Sequence, residues 1–168
     1  RSVGKIIEKL KDLNIYGKTM IIFTSDNGGA NYIELEDINK PFRGWKISFF
    51  EGGIRVPFIV SWPDEISPGL TSNSAVHHFD IFPTIVSATK TTTLNKKELD
   101  GVNLLPYIKK ENSDEPHETL FWRSGNHQSV LHKKWKYIVS KKENKSWLFD
   151  TSIDPLEKNN LIESHPKE

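Results

Sequence analysis

Val3, Ile6, Ile7, Leu10 and Leu13 recur at helical spacing with Lys and Glu between them, which predicts an amphipathic helix. Gly17 is its expected stop, after Asn14-Ile15-Tyr16. Thr19-Met20-Ile21-Ile22-Phe23-Thr24 is short and nearly continuous in apolar character. It predicts a strand buried on both faces, as in a parallel sheet covered by helices. Helix, Gly turn and buried strand make half of a doubly wound α/β unit. A polar, Gly-bearing loop then runs to about Arg55, and Pro57-Phe58-Ile59-Val60-Ser61-Trp62 predicts a second buried strand stopped by Pro63. Phe79 to Ala88 fits a helix, with Asp80 near its start as a cap and Pro83 in the first turn.

Residues 89–118 read as a polar connection rich in Lys and Thr, with one apolar cluster at Leu104, Leu105, Tyr107 and Ile108. After it the period changes. Thr119 to Trp122, Ser129 to His132, Trp135 to Ser140 and Ser146 to Asp150 are β-prone runs separated by turn-formers. They predict a small antiparallel sheet, with Lys141 to Lys145 as a solvated hairpin loop. In the third run Trp135, Tyr137 and Val139 alternate with Lys136, Ile138 and Ser140, and the aromatic set is expected on the packed face. That two-face pattern outweighs a reading of the same cations and aromatics as a single-strand nucleic-acid platform.

Composition narrows the classes further. The chain has 168 residues, enough for one sizeable domain or part of a larger one. Lys+Arg (23) and Asp+Glu (22) nearly cancel, so no global attraction to nucleic acid or an acidic membrane follows. No Cys is present, which excludes a disulfide framework, a thiolate zinc site and a Cys nucleophile within these residues. No apolar run reaches the roughly 18 to 20 residues a bilayer span needs.

The chemistry-bearing positions cluster after the first strand. Asp26-Asn27 follows it directly, and ligands in open α/β sheets bind beyond the carboxyl ends of strands. A carboxylate beside an amide oxygen offers hard donors suited to Ca²⁺ or Mg²⁺. Gly28 and Gly29 would let backbone approach a bound group, although Asp-Asn-Gly is also an ordinary turn sequence. Arg43 and Lys46 place two cations in a Gly-bearing loop, where either can meet an oxyanion. Glu51 and Arg55 read as an internal ion pair fixing that loop. His77-His78, just before a helix, fits packing or capping, while His117, His127 and His132 show no ligand spacing and receive no role.

Ile22 to Gly29, then Phe42-Arg43-Gly44-Trp45-Lys46, then Glu51-Gly52-Gly53-Ile54-Arg55-Val56-Pro57-Phe58 together resemble the sulfatase family. Trp62-Pro63, Asp80-Ile81-Phe82-Pro83-Thr84, Asp100-Gly101-Val102-Asn103-Leu104-Leu105, Leu148-Phe149-Asp150, Asp154-Pro155-Leu156-Glu157 and Asn160-Leu161 continue the resemblance in order. Each motif is weak alone, and it is their collinearity that carries the likeness. The resemblance implies the C-terminal part of an alkaline-phosphatase-like α/β sandwich, mostly parallel sheet with helices, followed by a small antiparallel sheet. Residues 1–110 would belong to the catalytic α/β domain and 111–168 to a C-terminal β subdomain.

The resemblance also implies roles. Asp26 and Asn27 inherit part of a divalent cation site, usually Ca²⁺ with Mg²⁺ possible. Lys46 inherits contact with the substrate sulfate, offsetting charge during catalysis. The family has Gly immediately before that Lys, where this chain has Trp45. The family's formylglycine nucleophile arises from a Cys/Ser-x-Pro-Ser/Ala-Arg motif that does not occur here, nor do its upstream Asp pair, catalytic His and second Lys. The expected activity is therefore sulfate-ester hydrolysis by a parent enzyme, with this chain inactive alone. A sulfate-ester small molecule or sulfated glycan is the expected partner, with no nucleic acid, no membrane span and an exported location. A related metal-dependent phosphodiesterase or phosphonate hydrolase, or a non-catalytic binding protein keeping the fold, remains as an alternative.

Overall fold

The computed structural model describes residues 2–35, 37–92 and 98–167. Its elements are α1 (Ser2–Asp12), β1 (Ile21–Thr24), α2 (Glu51–Ile54), β2 (Phe58–Ser61), α3 (Ile81–Ala88), α4 (Leu105–Ile108), β3 (Thr119–Ser124), β4 (His127–His132), β5 (Trp135–Ser140) and β6 (Lys145–Asp150). Short 3-10 turns at Asn31–Ile33 and His78–Asp80 complete them. β1 pairs with β2, and β3 to β6 form a sheet in sequence order. Two compact units result, Arg1–Ile22 with Val60–His117, and Phe23–Ile59 with Glu118–Glu168.

In the first unit, α1 forms as its period predicts, and Lys9 and Lys11 in the last turn face the negative end of the helix dipole. Its stop is not Gly17. Asn14 takes the left-handed conformation (φ 55°), while the Asn14 N–H donates to Lys11 O at 2.9 Å and the Ile15 N–H to Leu10 O at 3.0 Å. Those two bonds close the last turn, and Asn tolerates this φ because its side chain is short and polar. Gly17 serves a different need, since a Cβ there would stand 2.2 Å from Asp64 Oδ1.

The helix at 81–88 is also present, but Asp80 does not cap its first turn. Its carboxylate reaches back to the His77 N–H (2.7 Å) and forward to the Val102 N–H (2.9 Å). Thr84 Oγ1 donates to Asp80 O at 2.7 Å and accepts the Leu104 N–H at 2.9 Å, which holds the buried Leu104 against α3. The apolar cluster at 104–108 therefore becomes α4 and part of the core. The residues numbered 93–97, inside the predicted polar connection, lie outside the described ones.

β1 and β2 are shorter than the sequence predicts and are not buried on both faces, since Phe23 is 47% and Ile59 56% exposed. The sheet in the second unit departs from expectation in a more informative way. Its four strands and antiparallel order are as predicted, with Leu131, Lys136 and Phe149 in register across β4, β5 and β6. Lys136, Ile138 and Ser140 form the buried face of β5, however, and Tyr137 on the other face is exposed. Lys136 lies between apolar neighbours, and acid groups meet its ammonium, so the residue that looked solvent-facing is the one enclosed. Lys141, Lys142 and Lys145 are exposed as expected.

Candidate active site

Thr24 ends β1, and the chain turns at once through Ser25 to Gly29. The Asn27 N–H donates to Asp26 Oδ1 at 3.0 Å and the Ser25 hydroxyl to Asn27 O at 2.9 Å, local bonds that hold the Asp26 and Ser25 side chains against the turn. Asn27 Nδ2 donates to Gly28 O at 2.8 Å, leaving its amide oxygen without a donor among the described residues. Asp26 is exposed and Asn27 half-buried. Two hard oxygens on one turn fit a Ca²⁺ or Mg²⁺ ion in kind, but supply only part of the roughly six to eight that Ca²⁺ takes. Among the described residues no group of three or more His, Cys, Asp or Glu could hold a metal.

Gly28 is needed for packing within the chain and not for approach to a bound group, because a Cβ there would fall 1.8 Å from Gly52 O. Its N–H donates to Gly53 O at 2.9 Å, tying the turn to α2. Asn39, which the sequence did not single out, holds the other side. Its Oδ1 accepts the Gly29 N–H at 2.6 Å, and its Nδ2 donates to Gly29 O (2.9 Å) and Gly44 O (3.2 Å). The Lys46 N–H also donates to Gly29 O, at 3.0 Å. The three motifs that looked separate in sequence are thus one knitted loop cluster, with the Lys46 backbone bonded two residues beyond Asn27. Lys46 itself is half-buried rather than on open surface.

Next to this cluster is a group of charges, two of them wholly buried. Glu51 pairs with Arg55 Nη1 at 3.3 Å, as the sequence predicts, and also accepts from Lys136 Nζ at 2.5 Å. Lys136 Nζ stands 2.8 Å from Glu157 Oε1, an ion pair without hydrogen-bond geometry, while Glu157 Oε2 accepts the Glu51 N–H at 2.7 Å. Lys136 and Glu157 are wholly buried. Burial pushes the Glu157 carboxyl up from its ordinary value, with the Lys136 charge and the Glu51 N–H pulling the other way. Arg43 is already engaged: it donates to Glu157 O at 3.2 Å and lies 4.1 Å over the Phe50 ring. Nothing local flags Lys136 in the sequence. Glu157 was visible only as one residue of a resembling motif.

The histidine expected to cap does so. His77 Nδ1 accepts the Phe79 N–H at 3.4 Å, and its ring stacks on Phe79 with centroids 4.0 Å apart. Burial, followed by the charge of His78, lowers the His77 pKa. His117, given no role by the sequence, has Nε2 at 2.9 Å from both Asp80 oxygens and is nearly buried. It joins the end of the first unit to the start of α3.

Known proteins are similar to this chain. Human N-acetylgalactosamine-6-sulfatase is 38% identical over 109 residues, covering 64% of this chain and 21% of that protein. Arylsulfatase of Hemicentrotus pulcherrimus is 38% identical over 122 residues, covering 72% and 22%. Ps i-CgsB, solved in complex with k-i-k-neocarrahexaose, superposes with a TM-score of 0.84 at 29% identity, over 98% of this chain and 37% of that one. The chain spans about a fifth of the length of those two curated relatives. The Sulfatase family model matches residues 1–91 of 168, more than half, and the chain belongs to the sulfatase family.

Proposed function

We propose that this chain supplies one wall of the active site of a sulfate-ester hydrolase, with Asp26 and Asn27 as cation ligands and Lys46 as the contact to the sulfate. The observation that carries the reading is the pair of bonds that Gly29 O accepts, from Asn39 Nδ2 and the Lys46 N–H. They hold the Lys46 backbone two residues beyond Asn27, so that a cationic residue and two hard oxygen donors belong to one loop cluster, a combination suited to a tetrahedral oxyanion held by a hard cation. When bound, such a cation, Ca²⁺ or Mg²⁺, would draw negative charge from the sulfate oxygens. The Lys46 ammonium would offset charge developing as the ester bond breaks.

The nucleophile, expected to be a formylglycine, and the remaining cation ligands would come from a segment not among these 168 residues. Alone, the chain would then bind Ca²⁺ weakly and turn over no sulfate ester. The Ps i-CgsB oligosaccharide complex makes a sulfated glycan one candidate substrate, beside small sulfate esters. In a full-length enzyme carrying this segment, Lys46→Ala should lower kcat/KM for an aryl sulfate by roughly a hundredfold, as for loss of one oxyanion contact. Unchanged kcat/KM would remove Lys46 from the site. A higher kcat/KM for a matched phosphodiester would favour the phosphodiesterase alternative.

A further inference from the structure

We infer that Glu157, charge-paired with Lys136, is the positioning residue for the Lys46 loop, so that the C-terminal sheet holds the sulfate contact in place. The inference rests on the assignment of Lys46 proposed above.

Glu157 grips both ends of the loop formed by residues 43–51. At one end its carbonyl oxygen accepts from Arg43 Nη1 at 3.2 Å, and Arg43 O in turn accepts the Gly52 N–H at 2.6 Å. At the other end its carboxylate accepts the Glu51 N–H at 2.7 Å. Lys136 on β5 reaches both acids, at 2.5 Å from Glu51 and 2.8 Å from Glu157. Phe50 anchors the same end by edge contacts to Trp147 (5.2 Å) and Phe149 (6.1 Å) of β6.

The middle of the loop needs such a hold. Ile47, next to Lys46, has φ 83° although it is β-branched, and it is 67% exposed, so packing around Ile47 itself cannot enforce that conformation. Ser48 closes the turn locally, accepting the Trp45 N–H at 3.1 Å and donating to Trp45 O at 2.8 Å. The Lys46 N–H bond to Gly29 O and the Asn39 bond to Gly44 O hold the loop from the Asp26-Asn27 side, and the two ends held by Glu157 supply the constraint from the other side. Glu157 too has positive φ (55°) while wholly buried. A strained backbone and a buried charge at one residue persist only where the surroundings over-determine them. Here those surroundings are the loop ends and Lys136.

A double-mutant cycle in the full-length enzyme tests this, with thermal midpoints recorded for every variant. Glu157→Gln should lower kcat/KM for an aryl sulfate about tenfold in the wild-type background, by the logic of a displaced oxyanion contact. In the Lys46→Ala background the same change should cost less than about twofold, because the contact it positions is already gone. Equal costs in the two backgrounds would overturn the inference while leaving Lys46 as the sulfate contact. So would a Glu157→Gln enzyme with wild-type kcat/KM. If Lys46→Ala alone has no effect, the sulfate reading itself fails. Should Glu157→Gln not fold, Lys136→Met with Glu157→Gln removes the buried charges together and enters the same cycle.

Discussion

Asp80 in the first unit and Glu157 in the second are both fully buried acids, and they are stabilised by different means. Asp80 accepts two backbone N–H groups, from His77 and Val102, and lies against the His117 imidazole. It works as a staple between three stretches of one unit, with fixed dipoles as partners. Glu157 has one backbone donor and shares a single ammonium with Glu51, whose other cation is Arg55. Its stability depends on a balance of charges, so changing any member leaves the others exposed to that imbalance. Fixed dipoles make a passive joint, whereas a shared charge couples distant elements. The coupled arrangement is the one beside the candidate site.

The largest expected effect is Lys136→Met alone, which leaves two acids adjacent in a buried place and should destabilise by about 3–5 kcal/mol in urea unfolding. Adding Glu157→Gln to it should recover most of that loss. Failure to recover would mean that the charges are not balanced against each other. Asp80→Ala comes next, at about 2–4 kcal/mol, because two N–H donors and an imidazole lose their acceptor. Here no second substitution at His117 should restore stability, and a full rescue by His117→Phe would erase the contrast between the two acids.

A smaller effect is the dependence on pH. Glu157 is raised by burial, so its contribution is fully present below about pH 4.5 and is lost as pH rises through the higher folded value. His77 is lowered, chiefly by burial, so its contribution is present above pH 6.5 and is lost as pH falls through the lower folded value. Thermal midpoints measured against pH should show Glu157→Gln gaining relative to wild type as pH rises from 4.5. His77→Gln should gain relative to wild type as pH falls below 6.5. Parallel curves for either variant would contradict the corresponding shift. The smallest effect is at the end of α1, where Asn14→Ala should cost about 1 kcal/mol and Asn14→Gly almost nothing, by urea unfolding.

Much of this organisation is legible in the residues alone. The period of Val3 to Leu13, the apolar runs at 19–24 and 57–62, and the four β-prone segments specify elements through local geometry, and each is present. The order of Asp26-Asn27, Lys46 and Glu51-Gly52-Gly53 likewise carries the family. Sequence misplaced the face of β5 because alternation says which residues share a side but not which side is enclosed. It missed Asn39 and His117 because their partners, Gly29 and Asp80, lie 10 and 37 residues away and are reached only when the chain folds back. The sequence by itself therefore determined elements and motifs, which follow from local spacing, and the collinear order of motifs on which the family likeness rests. Tertiary structure alone decided that Lys136 is buried and that Glu157 faces Glu51 across 106 residues, because a charge can be enclosed only where another part of the chain brings its counter-charge.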